Sequence, residues 1–182
     1  MNKALFLDRD GIINVDHGYV YQEENFEFVE GIFELCTKAQ VNGFMIIVIT
    51  NQSGIGRGKY SEREFEELCQ WMKAEFQQRN IVIDDIFYCP HHPTNAKGEY
   101  LQSCYCRKPE PGMIIAAQKK HEIDLAQSIF IGDKKSDMRA ANSAGVKYRL
   151  LVGDQDQCEG APKTLFAENL HDLLLRFDGF EQ

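Results

Sequence analysis

Short apolar runs alternate with stretches whose apolar residues recur every three or four positions, and that alternation predicts a parallel sheet joined by crossover helices. Ala4–Leu7 reads as a buried strand that stops at Asp8-Arg9-Asp10-Gly11. Ile32, Leu35, Cys36 and Ala39 then keep helical spacing, with Gly43 as terminator. Met45–Ile49 is the second predicted strand, ending at Thr50, and Asn51–Tyr60 is a loop. Ser61 and Glu64 form a capping-box pair ahead of a helix whose stripe is Phe65, Leu68, Cys69, Met72 and Phe76. Ile81–Tyr88 is predicted as the third strand, interrupted by Asp84-Asp85.

Cys89 to Pro109 has neither period and is longer than most internal loops, so something must tie it down. A helix starts at Pro111 and runs to about Lys120, with Met113, Ile114 and Ala117 inward. Ser128–Ile131 is a fourth strand, a short helix reaches Ala144 ahead of Gly145, and Tyr148–Val152 is a fifth strand. Residues 153–163 read as loop, and Leu170, Leu173, Leu174 and Phe177 predict a last helix over about 168–177. The expected fold is α/β: a Rossmann-like doubly wound parallel sheet with helices on both faces, one domain over 1–182 without a large cap.

Composition narrows the partners. With 20 Lys+Arg against 28 Asp+Glu the net charge is −8, so nothing compensates the phosphates of a nucleic acid or an anionic membrane. No segment approaches the ~20 apolar residues of a membrane span, and Met1–Leu7 is shorter than a signal peptide's apolar region. A cytoplasmic monomer is expected. Cys36 and Cys69 lie on apolar helical stripes and read as small core residues.

Open parallel sheets bind ligands at the carboxyl ends of their strands. Those ends hold Asp8 and Asp10 after the first strand, Thr50 after the second and Asp133 after the fourth, with Lys108 just ahead of the next helix. Asp-x-Asp alone is ordinarily a solvated loop; the repeated placement is what points to a site. Three carboxylates on one rim repel one another unless a cation lies among them, and an oxygen-only set suits Mg²⁺ bridging to phosphate.

Asp8-Arg9-Asp10-Gly11, Ile49-Thr50-Asn51, Arg107-Lys108-Pro109 and Gly132-Asp133-Lys134-x-x-Asp137 resemble, in order, the four motifs of the haloacid-dehalogenase-like phosphohydrolases. Ile12 stands where that family usually has Thr or Val. The resemblance implies phosphoryl transfer through an aspartyl-phosphate, with Asp8 as nucleophile and Asp10 as general acid and base. It places Mg²⁺ on the side chains of Asp8 and Asp133 and the backbone carbonyl of Asp10, and the phosphoryl oxygens on Thr50 and Lys108. Asp137 reads as a supporting or capping group.

Cys89-Pro90-His91, twelve residues, then Cys104-Tyr105-Cys106 offers three thiols and an imidazole, the donor set of a closed structural zinc site over about 89–106. Free thiols are the plain alternative, and His92 competes with His91, which is preferred because its spacing mirrors the second pair. Zinc here would fix the backbone that carries Arg107 and Lys108. The zinc loop is similar to that of the branch holding histidinol-phosphate and heptose-bisphosphate phosphatases, and the twelve-residue interval resembles the heptose side. That resemblance implies removal of the 7-phosphate of a heptose 1,7-bisphosphate, in heptose supply for the lipopolysaccharide core. Its substrate residues would be Asp16, His17, Gly18, Tyr19, Thr50, Asn51, Gln52, Ser53, Arg107, Lys108 and Lys134, with Arg107 on the distal phosphate. His17 and Tyr19 read equally as packing residues of their loop, and Arg107 and Lys134 as surface charges. The competing functions are histidinol-phosphate hydrolysis and a non-catalytic zinc-loop interaction protein.

Overall fold

The computed structural model describes residues 1–177 and Gly179. Six parallel strands form one sheet: β1 Lys3–Leu7, β2 Phe44–Asn51, β3 Asp85–Cys89, β4 Ile129–Gly132, β5 Tyr148–Val152 and β6 Leu165–Ala167. Their order is β3-β2-β1-β4-β5-β6, so the chain winds outward from β1 in one direction and from β4 in the other. A crevice opens where the winding reverses, at the carboxyl ends of β1 and β4. The register sets Leu7 beside both Val48 and Ile131, which brings the residues after β1 and β4 together.

Among the described residues six α-helices accompany the sheet: α1 Ile32–Val41, the single turn α2 Ser53–Gly56, α3 Glu62–Gln77, α4 Gly112–His121, α5 Lys135–Ala144 and α6 Leu170–Arg176. Strand residues alternate between two buried layers. Leu5, Leu7, Ile46 and Val48 pack with Leu35 of α1, Met72 and Phe76 of α3 and Leu173 of α6. Ala4, Phe6, Ile47 and Ile49 pack with Ile114 of α4 and Met138 of α5. Both faces are therefore dry, which is why the strands read as continuous apolar runs.

The local signals mostly hold. Ser61 and Glu64 form the capping box of α3, Pro111 caps α4, and Gly43 follows α1 with φ at +79°. Cys36 is buried, while Cys69 is half-buried against the small Ile55–Tyr60–Phe65 cluster. Three expectations need correction. The third strand starts at Asp85, not Ile81: Ile81 and Ile83 are buried, but the Asp84 carboxylate accepts the Ile46 N–H at 2.7 Å and takes a ladder partner's place. The 51–60 loop contains α2, and the 153–163 loop a short 3-10 turn at Gln155–Cys158. Strand β6 was not foreseen; three residues with one buried side chain show no usable period. Among the described residues the crevice is bordered by loops together with Ser53 of α2 and Ser136 of α5, and no helix is long and apolar enough to cross a membrane.

Candidate active site and metal centre

Asp8, at the first position beyond β1, is buried, and its Oδ1 accepts Lys108 Nζ at 2.9 Å. The same ammonium donates to the Ile49 carbonyl at 2.7 Å and lies 2.7 Å from Asp137 Oδ1. Burial works against the Lys108 charge, but Asp137 and Asp8 more than restore it and hold the amine protonated well above its usual range. Asp137 uses its other oxygen to accept the backbone N–H groups of Asp133 and Lys134, capping α5. It thus caps α5, and it reaches Lys108 as well.

The carboxylates of Asp8, Asp133 and Asp137 each bring an oxygen within 4.8 Å of the others. Burial, then the Asp137 charge, raises the Asp8 carboxyl well above the ordinary range, against the pull of Lys108. The same two causes push Asp133 up to about 6. Asp133 Oδ1 is buried with no hydrogen-bond partner among the described residues. Gly11, at φ +94°, lets the backbone pass so close that a Cβ there would stand 2.3 Å from Asp133 Oδ2. Crowded carboxylates with an orphaned oxygen fit a hard divalent cation, which removes the repulsion.

Asp10 differs. Its Oδ1 accepts from Arg9 Nη2 at 2.7 Å and Asn14 Nδ2 at 3.0 Å, and its Oδ2 from Gln52 Nε2 at 3.1 Å. Burial favours the neutral form, yet Arg9 and these donors outweigh it and hold the carboxyl below its usual value. Gln52 also donates to Thr50 Oγ1 at 2.9 Å and accepts from the Tyr60 hydroxyl, so Thr50, Gln52 and Asp10 form one chain of hydrogen bonds. Arg9, Asn14 and Tyr60 were missed from sequence. Arg9 lies between the two acids, which was the available signal; Asn14 stands in an apolar stretch and Tyr60 eight residues beyond Gln52. Ile12 is fully buried in the core.

A cleft of about 380 Å³ is lined by Asp8, Asp10, Asn51, Ser53, Arg107, Lys108 and Lys134. It adjoins a second, of about 230 Å³, lined by Asp10, Asp16, Gly18, Tyr19, Gln52, Ser53 and Lys134. Lys134 Nζ lies 3.5 Å from Asp16 Oδ2 across the rim. Arg107 Nη1 donates to the His91 carbonyl at 3.2 Å. His17 turns instead to Glu27, 2.9 Å away, in a separate cavity with Phe26. The cavity beside Trp71 presents Glu23, Glu24, Glu64 and Glu67 and no cation, which disqualifies it for an anionic substrate.

In the 89–106 loop, Cys89 Sγ lies 3.4 Å from Cys104 Sγ, 2.9 Å from Cys106 Sγ and 3.7 Å from His91 Nδ1. Cys106 Sγ is 3.2 Å from Cys104 and 3.4 Å from His91. Four convergent soft donors, with no fifth position supplied, fit tetrahedral zinc. Burial and Cys106 hold the Cys89 thiol protonated well above its usual range, so a metal binding there releases protons. His92 instead accepts the N–H groups of Thr94 and Asn95 at 3.2 and 3.0 Å, which leaves His91 as the converging imidazole.

Comparison with known proteins agrees with this geometry. A family model described as HAD-hyrolase-like matches residues 105–173. The chain is 50% identical over 149 residues to a D-glycero-beta-D-manno-heptose-1,7-bisphosphate 7-phosphatase of Vibrio cholerae, covering 82% of this chain and 80% of that one. It is 50% identical over 155 residues to the D-glycero-alpha-D-manno-heptose-1,7-bisphosphate 7-phosphatase of Burkholderia mallei, covering 85% and 82%. The D,D-heptose 1,7-bisphosphate phosphatase of B. bronchiseptica, solved with magnesium and phosphate, superposes with a TM-score of 0.83 at 29% identity over 96% of this chain and 97% of that one. With its acid cluster at the β1 and β4 ends and relatives of this identity and coverage, the chain belongs to the heptose-bisphosphate phosphatases of the HAD-like hydrolase family.

Proposed function

We propose that this chain is a magnesium-dependent phosphomonoesterase that removes the 7-phosphate of D-glycero-D-manno-heptose 1,7-bisphosphate through an aspartyl-phosphate on Asp8. The observation that carries the reading is the buried Asp8 carboxylate with Lys108 Nζ 2.9 Å from its Oδ1 at the floor of a cleft. Magnesium, held by the side chains of Asp8 and Asp133 and the Asp10 carbonyl, supplies neutralisation of the negative charge between carboxylates and phosphate.

Asp8 attacks phosphorus; its P–O bond forms as the bond to the sugar oxygen breaks. Thr50 and Lys108 bind the phosphoryl oxygens as charge accumulates on them. Asp10 donates its proton to the departing alkoxide, then takes one from the water that attacks the phosphoryl group, which frees Asp8 and inorganic phosphate. Its resting ionised state suits the second half; the charge of an arriving phosphate favours the protonated form that the first half needs. Arg107 presents a planar fork to the distal phosphate. Asp16, Gly18, Tyr19, Asn51, Gln52, Ser53 and Lys134 line the space for the sugar; His17, paired with Glu27, contributes only if the loop rearranges.

Zinc at Cys89, His91, Cys104 and Cys106 is structural in this reading. A single domain acting as a cytoplasmic monomer, supplying heptose for the lipopolysaccharide core, completes it; a cluster of reduced thiols suits a reducing compartment. Steady-state phosphate release from heptose 1,7-bisphosphate and from histidinol phosphate, with and without Mg²⁺, tests the reading. One phosphate should leave the heptose bisphosphate, only with Mg²⁺, at a kcat/KM at least about tenfold above histidinol phosphate. The reverse preference overturns the substrate assignment, and unchanged release by Asp8→Asn overturns the mechanism.

A further inference from the structure

Arg9 is 1% exposed and stands between the two acids of the first motif. One nitrogen, Nη2, makes both of its side-chain hydrogen bonds: 2.7 Å to Asp10 Oδ1 and 2.7 Å to the Val20 carbonyl. Among the described residues Nε and Nη1 have no hydrogen-bond partner. The guanidinium carbon lies 5.9 Å from the Phe26 ring centroid and 5.7 Å from that of Phe65, so two π-faces rather than water accommodate the cation. A desolvated cation costs several kcal/mol unless paired, and Asp10 is the paired carboxylate. Val20 and Phe26 both belong to the loop that carries Asp16 and Tyr19 into the cleft, whereas Phe65 belongs to α3.

We infer that Arg9 is a positioning residue: one buried guanidinium nitrogen, itself held by the Val20 carbonyl of the 14–28 loop, aims the Asp10 carboxylate. The inference rests on the hydrolase reading above. Asn14 and Gln52 also hold Asp10, but each is neutral, and neither bonds to Val20. Arg9 touches no cleft, so its effect falls on turnover and not on substrate binding.

The test uses the full-length magnesium- and zinc-loaded enzyme and Arg9→Met, with kcat and KM for heptose 1,7-bisphosphate. In parallel, capture of beryllofluoride with Mg²⁺ on Asp8, followed by fluorine NMR, reports the Asp8 site without calling on the Asp10 side chain. The expected result is a fall in kcat of tenfold or more, KM within threefold, and wild-type beryllofluoride stoichiometry. Arg9→Lys, which keeps the charge and loses the planar guanidinium between Phe26 and Phe65, should fall between the two and provides the same pair of numbers if Arg9→Met does not fold. A kcat within twofold of wild type overturns the inference. Loss of beryllofluoride capture together with kcat also overturns it, because Arg9 would then be a general scaffold. Failure of the hydrolase reading is seen separately, as absent phosphate release by the wild-type enzyme.

Discussion

Asn51 pairs with Lys108 as a neighbouring strand would: its Oδ1 accepts the Lys108 N–H at 3.0 Å while its Nδ2 donates to the Lys108 carbonyl at 3.1 Å. The amide that ends β2 thereby fixes the backbone from which Lys108 reaches Asp8. Asn51→Ala removes both bonds, a loss of about 1–3 kcal/mol. Because small displacements of a catalytic ammonium are costly, kcat should fall tenfold or more. Denaturant midpoints and steady-state rates of this variant measure the two effects.

Lys108→Met leaves Asp8 and Asp137 buried without their shared cation. In magnesium-free protein at neutral pH, the expected destabilisation is about 3–5 kcal/mol. The deficit should shrink on acidification, as Asp8, already raised by burial and by Asp137, takes up a proton. Urea unfolding at pH 7.5 and 5.5 checks the direction. A deficit that grows at the lower pH contradicts it.

Magnesium affinity should depend on pH through Asp133. Its carboxyl is pushed up to about 6, so below that pH the ligand is protonated and the apparent Kd should rise about tenfold per pH unit. A raised folded-state value also means that metal-free stability is fullest below the unfolded value near 4 and is lost as pH rises through about 6. The metal-free protein should therefore melt higher at pH 5 than at pH 7.5 as far as this group governs, with Mg²⁺ closing the gap. Magnesium titration calorimetry and thermal melts across that range provide both readings.

Zinc content should be about one ion per chain. Cys106→Ser and His91→Ala should lower it, while His92→Ala, whose imidazole accepts the N–H groups of Thr94 and Asn95, should not. Chelation should also depress kcat/KM for the bisphosphate, since Arg107 follows Cys106 and donates to the His91 carbonyl. Metal analysis with parallel kinetics separates the two histidines.

Much of this molecule is written locally. Strands buried on both faces need unbroken apolar runs, so Ala4–Leu7 and Met45–Ile49 announce themselves, and each is followed directly by a polar residue. That contrast made Asp8, Thr50 and Asp133 visible, and the thiols of 89–106 were visible through their clustering. What the chain alone did not disclose depends on partners distant in sequence. Asp84 replaces a ladder residue only because Ile46 lies beside it, and β6 exists only because β5 offers an edge. Arg9 looks like any surface charge until Phe26, Phe65, Val20 and Asp10 close around it. Periodicity records which faces exclude water. Which buried charge meets which partner is decided by the sheet order, and that exists only once the chain has folded.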